Sequence, residues 1–190
     1  DFKNIESLDH IQTILNSISN ITAVVNKQKK VIVSNEHLVK TTGLQSIDEI
    51  IGHRPGEFFH CIHVISGGTC TATDNCRFCG INQTIHESQK QNKRISGECR
   101  ITTRADGRLM SYDFRVTCVP LLFNGEYYTL LNLVDISSEK RNEMLEKVFF
   151  HDLLNRMGGF DGIIKIIKSE NKQPELDEFI DLLNTIGELT

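Results

Sequence analysis

No apolar run in this chain approaches the length of a membrane span, and no secretory leader is visible. There is no basic excess either. Twenty-one Lys and Arg stand against 25 Asp and Glu, a formal net charge of −4, which points away from nucleic acid and from anionic membrane as partners. The first residue is not Met, as in a piece excised from a longer protein. Without secretory features, and at 190 residues, the chain has no need of disulfide staples, yet it carries six cysteines. We therefore expect a reducing, cytoplasmic setting in which those thiols bind metal or do chemistry. What is present is a 39% hydrophobic, 24% charged composition, enough for one globular domain, or a little more, with a real core.

Four of the cysteines fall in the stretch His60–Gly80, HCIHVISGGTCTATDNCRFCG, at Cys61, Cys70, Cys76 and Cys79. The last two form C-x-x-C followed at once by Gly80. That step lets two thiolates converge on one ion, and the glycine lets backbone N–H groups turn towards sulfur without a Cβ clash. The rest of the stretch is polar and reads as a loop, long enough to need something that orders it. Coordination of a metal by the four cysteines is the reading we favour. The competing readings are a loop with scattered thiols and a redox disulfide. A cysteine nucleophile has no recognisable base constellation to support it.

Ahead of this stretch, Ile5, Leu8, Ile11, Ile14, Leu15 and Ile18 follow helical spacing, predicting an N-terminal helix within residues 1–18. Ile21–Asn26 and Val31–Asn35 are β-branched runs around the polar turn KQKK and predict a hairpin. Glu36–Thr42 and Ile47–Ile51 predict short helices, one ended by Gly43 and the other capped by Ser46. Gly80–Lys90 predicts a longer one.

Two tight turns set the registers that follow. Asp106-Gly107 pairs Ile101 with Tyr112, Cys99 with Phe114, Gly97 with Val116 and Ile95 with Cys118. Asn124-Gly125 then places Cys118 opposite Leu131 and Val116 opposite Leu133. Every pair on this face is apolar or small, so a one-residue slip would expose it. Cys99 and Cys118 point inward here and read as small buried hydrophobes, Cys99 lying nearer the ligand face.

This order of strands and helices resembles a PAS sensor domain over residues 19–137. The resemblance implies an α+β fold, a five-stranded antiparallel sheet with flanking helices. Asp135-Ile136-Ser137 is similar to the D-I-T-like step at the end of many PAS domains, with Ser in place of Thr. The cysteine-rich insert, residues 60–80, replaces a plain helix over the ligand pocket. Arg54-Pro55-Gly56-Glu57, the lone Cys61, and Cys76-Arg77-Phe78-Cys79-Gly80 also resemble a group of bacterial and archaeal sensors.

Residues 138–190 change character. Phe150, Leu153, Met157, Phe160, Ile164 and Ile167 follow spacings of 3, 4, 3, 4 and 3, a seam that pairs helices; upstream, Leu145 and Val148 carry it after a slip. Asn171–Pro174 should break this helix, with a second from Pro174 carrying Leu176, Ile180, Leu183 and Ile186. The two predict an α-helical hairpin, half of a dimeric four-helix bundle in a homodimer. Gly158 and Gly159 cost the helix about 2 kcal/mol against alanine and suggest a bend.

On this helix stands FFHDLLN. His151 falls one step off the seam, Asp152 follows it, and Asn155 lies at i+4 on the same face. A nucleophilic imidazole must be neutral and exposed, and a neighbouring carboxylate can hold its tautomer. The stretch resembles the H-box of a two-component sensor histidine kinase. That resemblance implies His151 as phosphoacceptor, Asp152 as acid/base partner, Asn155 as dephosphorylation helper, and a response regulator and an ATP-binding kinase domain as partners. No glycine-rich lid or ATP-binding asparagine motif can be placed, so these residues are not expected to autophosphorylate from ATP alone.

Cys61, Cys70, Cys76 and Cys79 suit zinc in a closed tetrahedron, favoured by the knuckle-like turn, or a [4Fe–4S] cluster, favoured by a sensory context. His60, His63 and Cys99 stand close enough in sequence or register to join them, though for the histidines a supporting or surface role fits better. The expected function is the sensory and phosphoacceptor portion of a histidine kinase that senses redox state or a small ligand. The alternative is a dimeric PAS interaction module with a purely structural zinc.

Overall fold

The computed structural model describes residues 10–65, 69–105 and 107–170, and the backbone alone for residues 65, 105 and 155–170. The chain divides into two units, Asp1–Lys140 and Arg141–Thr190.

In the first unit, residues 10–16 are helical (α1). The β-branched run Ile21–Val25 (β1) is buried at every position, as a central strand must be. It pairs with Val31–Ser34 (β2) through a turn in which the Asn26 side chain accepts from the amides of Gln28 and Lys30, at 2.9 and 3.0 Å. Asn35 then ties this corner together. Its side chain donates to the carbonyls of Ile18 and Asn20 and accepts from the amide of Thr22.

Short helical turns follow: Glu36–Thr42 (α2), Pro55–Phe58 (α3), Ile62–Ile65 (α4), and 3₁₀ turns at Ile47–Glu49 and Asp74–Arg77. Ser46 and Glu49 form a reciprocal cap on the first 3₁₀ turn, and Gly43 closes α2 at φ +72°. Gly80–Gln91 (α5) is the long helix of this layer. The stretch expected to be a loop is therefore partly helical, and Cys61 makes an isolated bridge to Thr103. Backbone polar groups this close to a core need partners, and these turns supply them.

Ile95–Ala105 (β3), Arg108–Phe123 (β4) and Glu126–Asp135 (β5) form a meander in the expected registers, Cys99 opposite Phe114 and Cys118 opposite Leu131 among them. Asn124 and Gly125 both take positive φ, the turn a two-residue hairpin requires. β5 returns to pair with β1, giving the antiparallel order β2-β1-β5-β4-β3. Phe114, Val116, Cys118, Leu131 and Leu133 form the inner face and pack with Phe58, Phe59, Ile81 and Ile85. Each such large side chain contributes about 1.5–3 kcal/mol by burial.

The end of β5 hands over to Ser137–Glu170 (α6) through a small network. Asp135 Oδ1 accepts from the Ser137 amide at 2.8 Å and from its hydroxyl at 2.5 Å. Ser137 Oγ accepts from the Asp113 amide, and the Ile136 amide donates to the Asp113 carbonyl. Ion pairs Lys140–Glu98 at 2.9 Å and Glu139–Arg115 at 3.1 Å fix the first turn on β3 and β4.

In the second unit α6 continues to Glu170, helical through Gly158 and Gly159. The expected break at Asn171–Pro174 and the helix after it lie outside the described residues, as does the start of the N-terminal helix. Leu145, Val148, Phe149, Phe150, Leu153 and Leu154 are exposed along α6. Among the described residues, no helix is long and apolar enough to cross a membrane.

Candidate metal centre

The four cysteines of the insert reach one place by different routes. Cys61 sits at the bridge to β3, Cys70 in the turn beyond α4, Cys76 in the second 3₁₀ turn, and Cys79 at the N-cap position of α5. All four line a cavity of about 290 Å³, together with Lys29, His63, Asn82, Arg100 and the apolar Val64, Ile81, Ile85 and Ile101. All six cysteines of the chain are free thiols. Among the described residues, no three His, Cys, Asp or Glu side chains already converge on a single point as metal ligands do.

Each sulfur of the quartet nevertheless has a polar hydrogen aimed at it or within reach. The amides of His63 and Val64 serve Cys61, that of Gly56 serves Cys70, and those of Ile81 and Asn82 serve Cys79. Thr73 Oγ1 lies 3.1 Å from the Cys76 sulfur. A Cβ at Gly56 would sit 2.9 Å from the Cys70 sulfur, so only glycine leaves that sulfur its room. Four thiols in one cavity, three of them met by backbone amides and the fourth beside a hydroxyl, fit a thiolate-bound zinc or iron–sulfur group.

Electrostatics separate the thiols. Burial pushes Cys61 up, and Cys70 up to about 11. Cys79 moves the other way, because the Cys99 thiol donates to it and the first amides of α5 point at it. Cys99 rises correspondingly, as it holds the shared proton and is itself buried. The two sulfurs are 3.8 Å apart. Cys118 lies in the core as expected, its thiol pushed up to about 12 by burial.

Lys29 is the site residue that its sequence context hides, since KQKK reads only as a polar turn. Its backbone takes φ +63°, uncommon for a residue with a side chain. Its ammonium lines the cavity and bonds to the side-chain carbonyl of Asn82 and, at 3.4 Å, to the main-chain carbonyl of the same residue. Desolvation lowers its pKa, partly offset by the nearby Cys70 and Cys79. Asn82 in turn donates to the Cys76 carbonyl at 2.8 Å. Arg54 donates to the Cys70 carbonyl at 3.3 Å. His63 reaches Asn75 at 3.1 Å and lines the cavity, whereas His60 is exposed.

On α6, His151 is 73% exposed, with its Nδ1 3.7 Å from Asp152 Oδ1. Asn155 is helical one turn on, and its side chain lies outside the described part.

No protein-family model matches the chain, and no curated protein sequence matches it significantly. Among solved structures it is similar to the PAS domain of BvgS from Bordetella pertussis, at 14% identity over 78% of this chain and 98% of that one, TM-score 0.45. It is also similar to a PAS domain from a two-component sensor histidine kinase, at 9% identity over 70% of this chain and 98% of that one, TM-score 0.45. A third is an RNA-binding light-oxygen-voltage receptor, at 11% identity over 78% of this chain and 38% of that one, TM-score 0.50. Identities this low speak to the fold alone. With the sheet order β2-β1-β5-β4-β3 and the helices between β2 and β3, the fold of the first unit is PAS-like.

Proposed function

We propose that the chain is the sensory and phosphoacceptor portion of a two-component sensor histidine kinase. In this reading the PAS-like unit holds a thiolate-bound metal and reports redox state or a small ligand to His151. The observation that carries it is the gathering of Cys61, Cys70, Cys76 and Cys79 on one cavity, each with a donor at or near its sulfur. Zinc would supply a rigid brace there, and a [4Fe–4S] cluster a one-electron couple. The chain's own residues do the rest. The backbone amides at Cys61, Cys70 and Cys79 would hydrogen-bond the bound sulfurs, Thr73 stands beside that of Cys76, and the Lys29 ammonium and Arg54 guanidinium would offset the negative charge of four thiolates.

The exposed apolar side chains of α6 support pairing with a second copy, which places two such helices side by side. Sedimentation of the chain at twice its monomer mass is the expected outcome. On the paired helix His151 offers its imidazole to a phosphoryl group. Asp152 orients the ring and accepts its proton, and Asn155 positions water for the reverse step. The phosphoryl group would come from an ATP-binding kinase domain and leave for a response regulator.

The test supplies a kinase catalytic domain of this class with ATP. The expected result is acid-labile label on the native chain and none on His151→Gln. Equal labelling of both contradicts the phosphoacceptor role. No label on a chain that keeps its metal and its dimer favours the second reading, a dimeric interaction module with a structural zinc, which the same exposed apolar helix also supports.

A further inference from the structure

Cys99 is outside the cysteine quartet, yet its sulfur lies 3.8 Å from that of Cys79. The approach is held by backbone rather than by a flexible side chain. α5 begins at Gly80, and its first residues press directly on β3. A Cβ at Gly80 would run into the carbonyl of Glu98 and lie 3.0 Å from the Cβ of Cys99. Cys79 stands at the N-cap position of the helix, where the amides of Ile81 and Asn82 lie towards its sulfur. Cys76, its neighbour in the C-x-x-C step, instead has its sulfur beside Thr73. Cys99 is buried, while Cys79 is half-buried and borders the cavity, so one thiol of the pair is reachable and the other stands behind it.

We propose that Cys79 and Cys99 form a reversible disulfide that withdraws Cys79 from the metal. The bond needs a sulfur–sulfur distance of about 2.05 Å, a closure that side-chain rotation can supply from contact distance. The oxidant is a hydroperoxide. The Cys79 thiolate attacks one peroxide oxygen, the O–O bond breaks, and the other oxygen leaves as water or alcohol after taking up a proton. Cys79 is then a sulfenic acid. The Cys99 sulfur attacks the Cys79 sulfur, the S–O bond breaks, and the hydroxyl leaves as water with the Cys99 proton. In sum two thiols lose two electrons and two protons, and the hydroperoxide gains them.

The loss of metal rests on the metal-site reading above; the thiol pairing does not. A metal centre that gives up one of four thiolates to a neighbouring fifth is a redox switch, reset by a dithiol reductant.

Peptide mapping reads this directly. Trypsin separates the two cysteines, Cys79 in the peptide spanning residues 78–90 and Cys99 in that spanning 95–100. The full chain is reduced, treated anaerobically with hydrogen peroxide, blocked with an alkylating agent and digested, with released metal measured in parallel. The expected result is a linked pair two hydrogens lighter than its separate peptides, formed in step with loss of the metal and undone by dithiothreitol. Cys99→Ala, or Cys99→Ser should the first fold poorly, abolishes the linked pair and slows metal release several-fold. Recovery of Cys99 as a free alkylated thiol after the metal has left overturns the proposal, as does linkage of Cys79 to Cys61, Cys70 or Cys76. A chain that never carries metal yet links Cys79 to Cys99 overturns the metal-site reading and leaves the disulfide standing.

Discussion

Gly80 shows how one residue answers two demands. The sequence motif suggested a glycine that frees backbone amides to face sulfur, and the amides of Ile81 and Asn82 do face Cys79. The larger constraint came from elsewhere: a Cβ here would collide with the Glu98 carbonyl on β3. Gly80→Ala must push the start of α5 off the sheet, an overpacking that typically costs about 1–3 kcal/mol. Urea denaturation should show that loss as an earlier midpoint with an unchanged slope. A midpoint at the native position would contradict the close packing. Cys118 is the contrasting case, a fully buried thiol that fills the core between Ile95 on β3 and Leu131 on β5.

At the scale of elements, the three-stranded meander was legible because its information is local. Two turn dipeptides fix the register, and an apolar face with period two leaves one pairing that buries it. The long helix was legible for the same reason, through its repeat. Contacts between elements distant in sequence were not. Nothing in KQKK announces that Lys29 meets Asn82, 53 residues on, and nothing near Cys99 announces Cys79 beside it. The cysteine stretch read as loop because its residues are polar, yet its backbone closes into turns against β3. The step from β5 to α6 depends on another element-scale device, the Asp135 carboxylate that accepts two hydrogen bonds from Ser137. Asp135→Ala should lower stability by about 1 kcal/mol. Urea denaturation of the variant checks this, and an unchanged midpoint would show that the bonds to Ser137 contribute nothing net.

For the whole molecule, the two units divide the labour in the proposed account. The first is a PAS-like fold whose helical layer carries a thiol-lined cavity over one end of the sheet. The second carries an exposed histidine on a helix with apolar side chains open to a partner. Charge acts in the first unit both at the cavity, which Lys29 lines while Arg54 holds the Cys70 carbonyl, and at the start of α6, where Lys140–Glu98 and Glu139–Arg115 pair. What is proposed for the first unit depends on those thiols holding a metal. Metal analysis with an optical spectrum, on chain purified without oxygen, decides whether they do. The expected result is either one zinc per chain in colourless protein or a brown protein with broad visible absorption and iron and sulfide in equal amounts, lost on Cys76→Ser and retained on Cys118→Ala. Native protein that binds neither zinc nor an iron–sulfur cluster, with Cys61, Cys70, Cys76 and Cys79 remaining as reduced, ligand-free thiols, would contradict it.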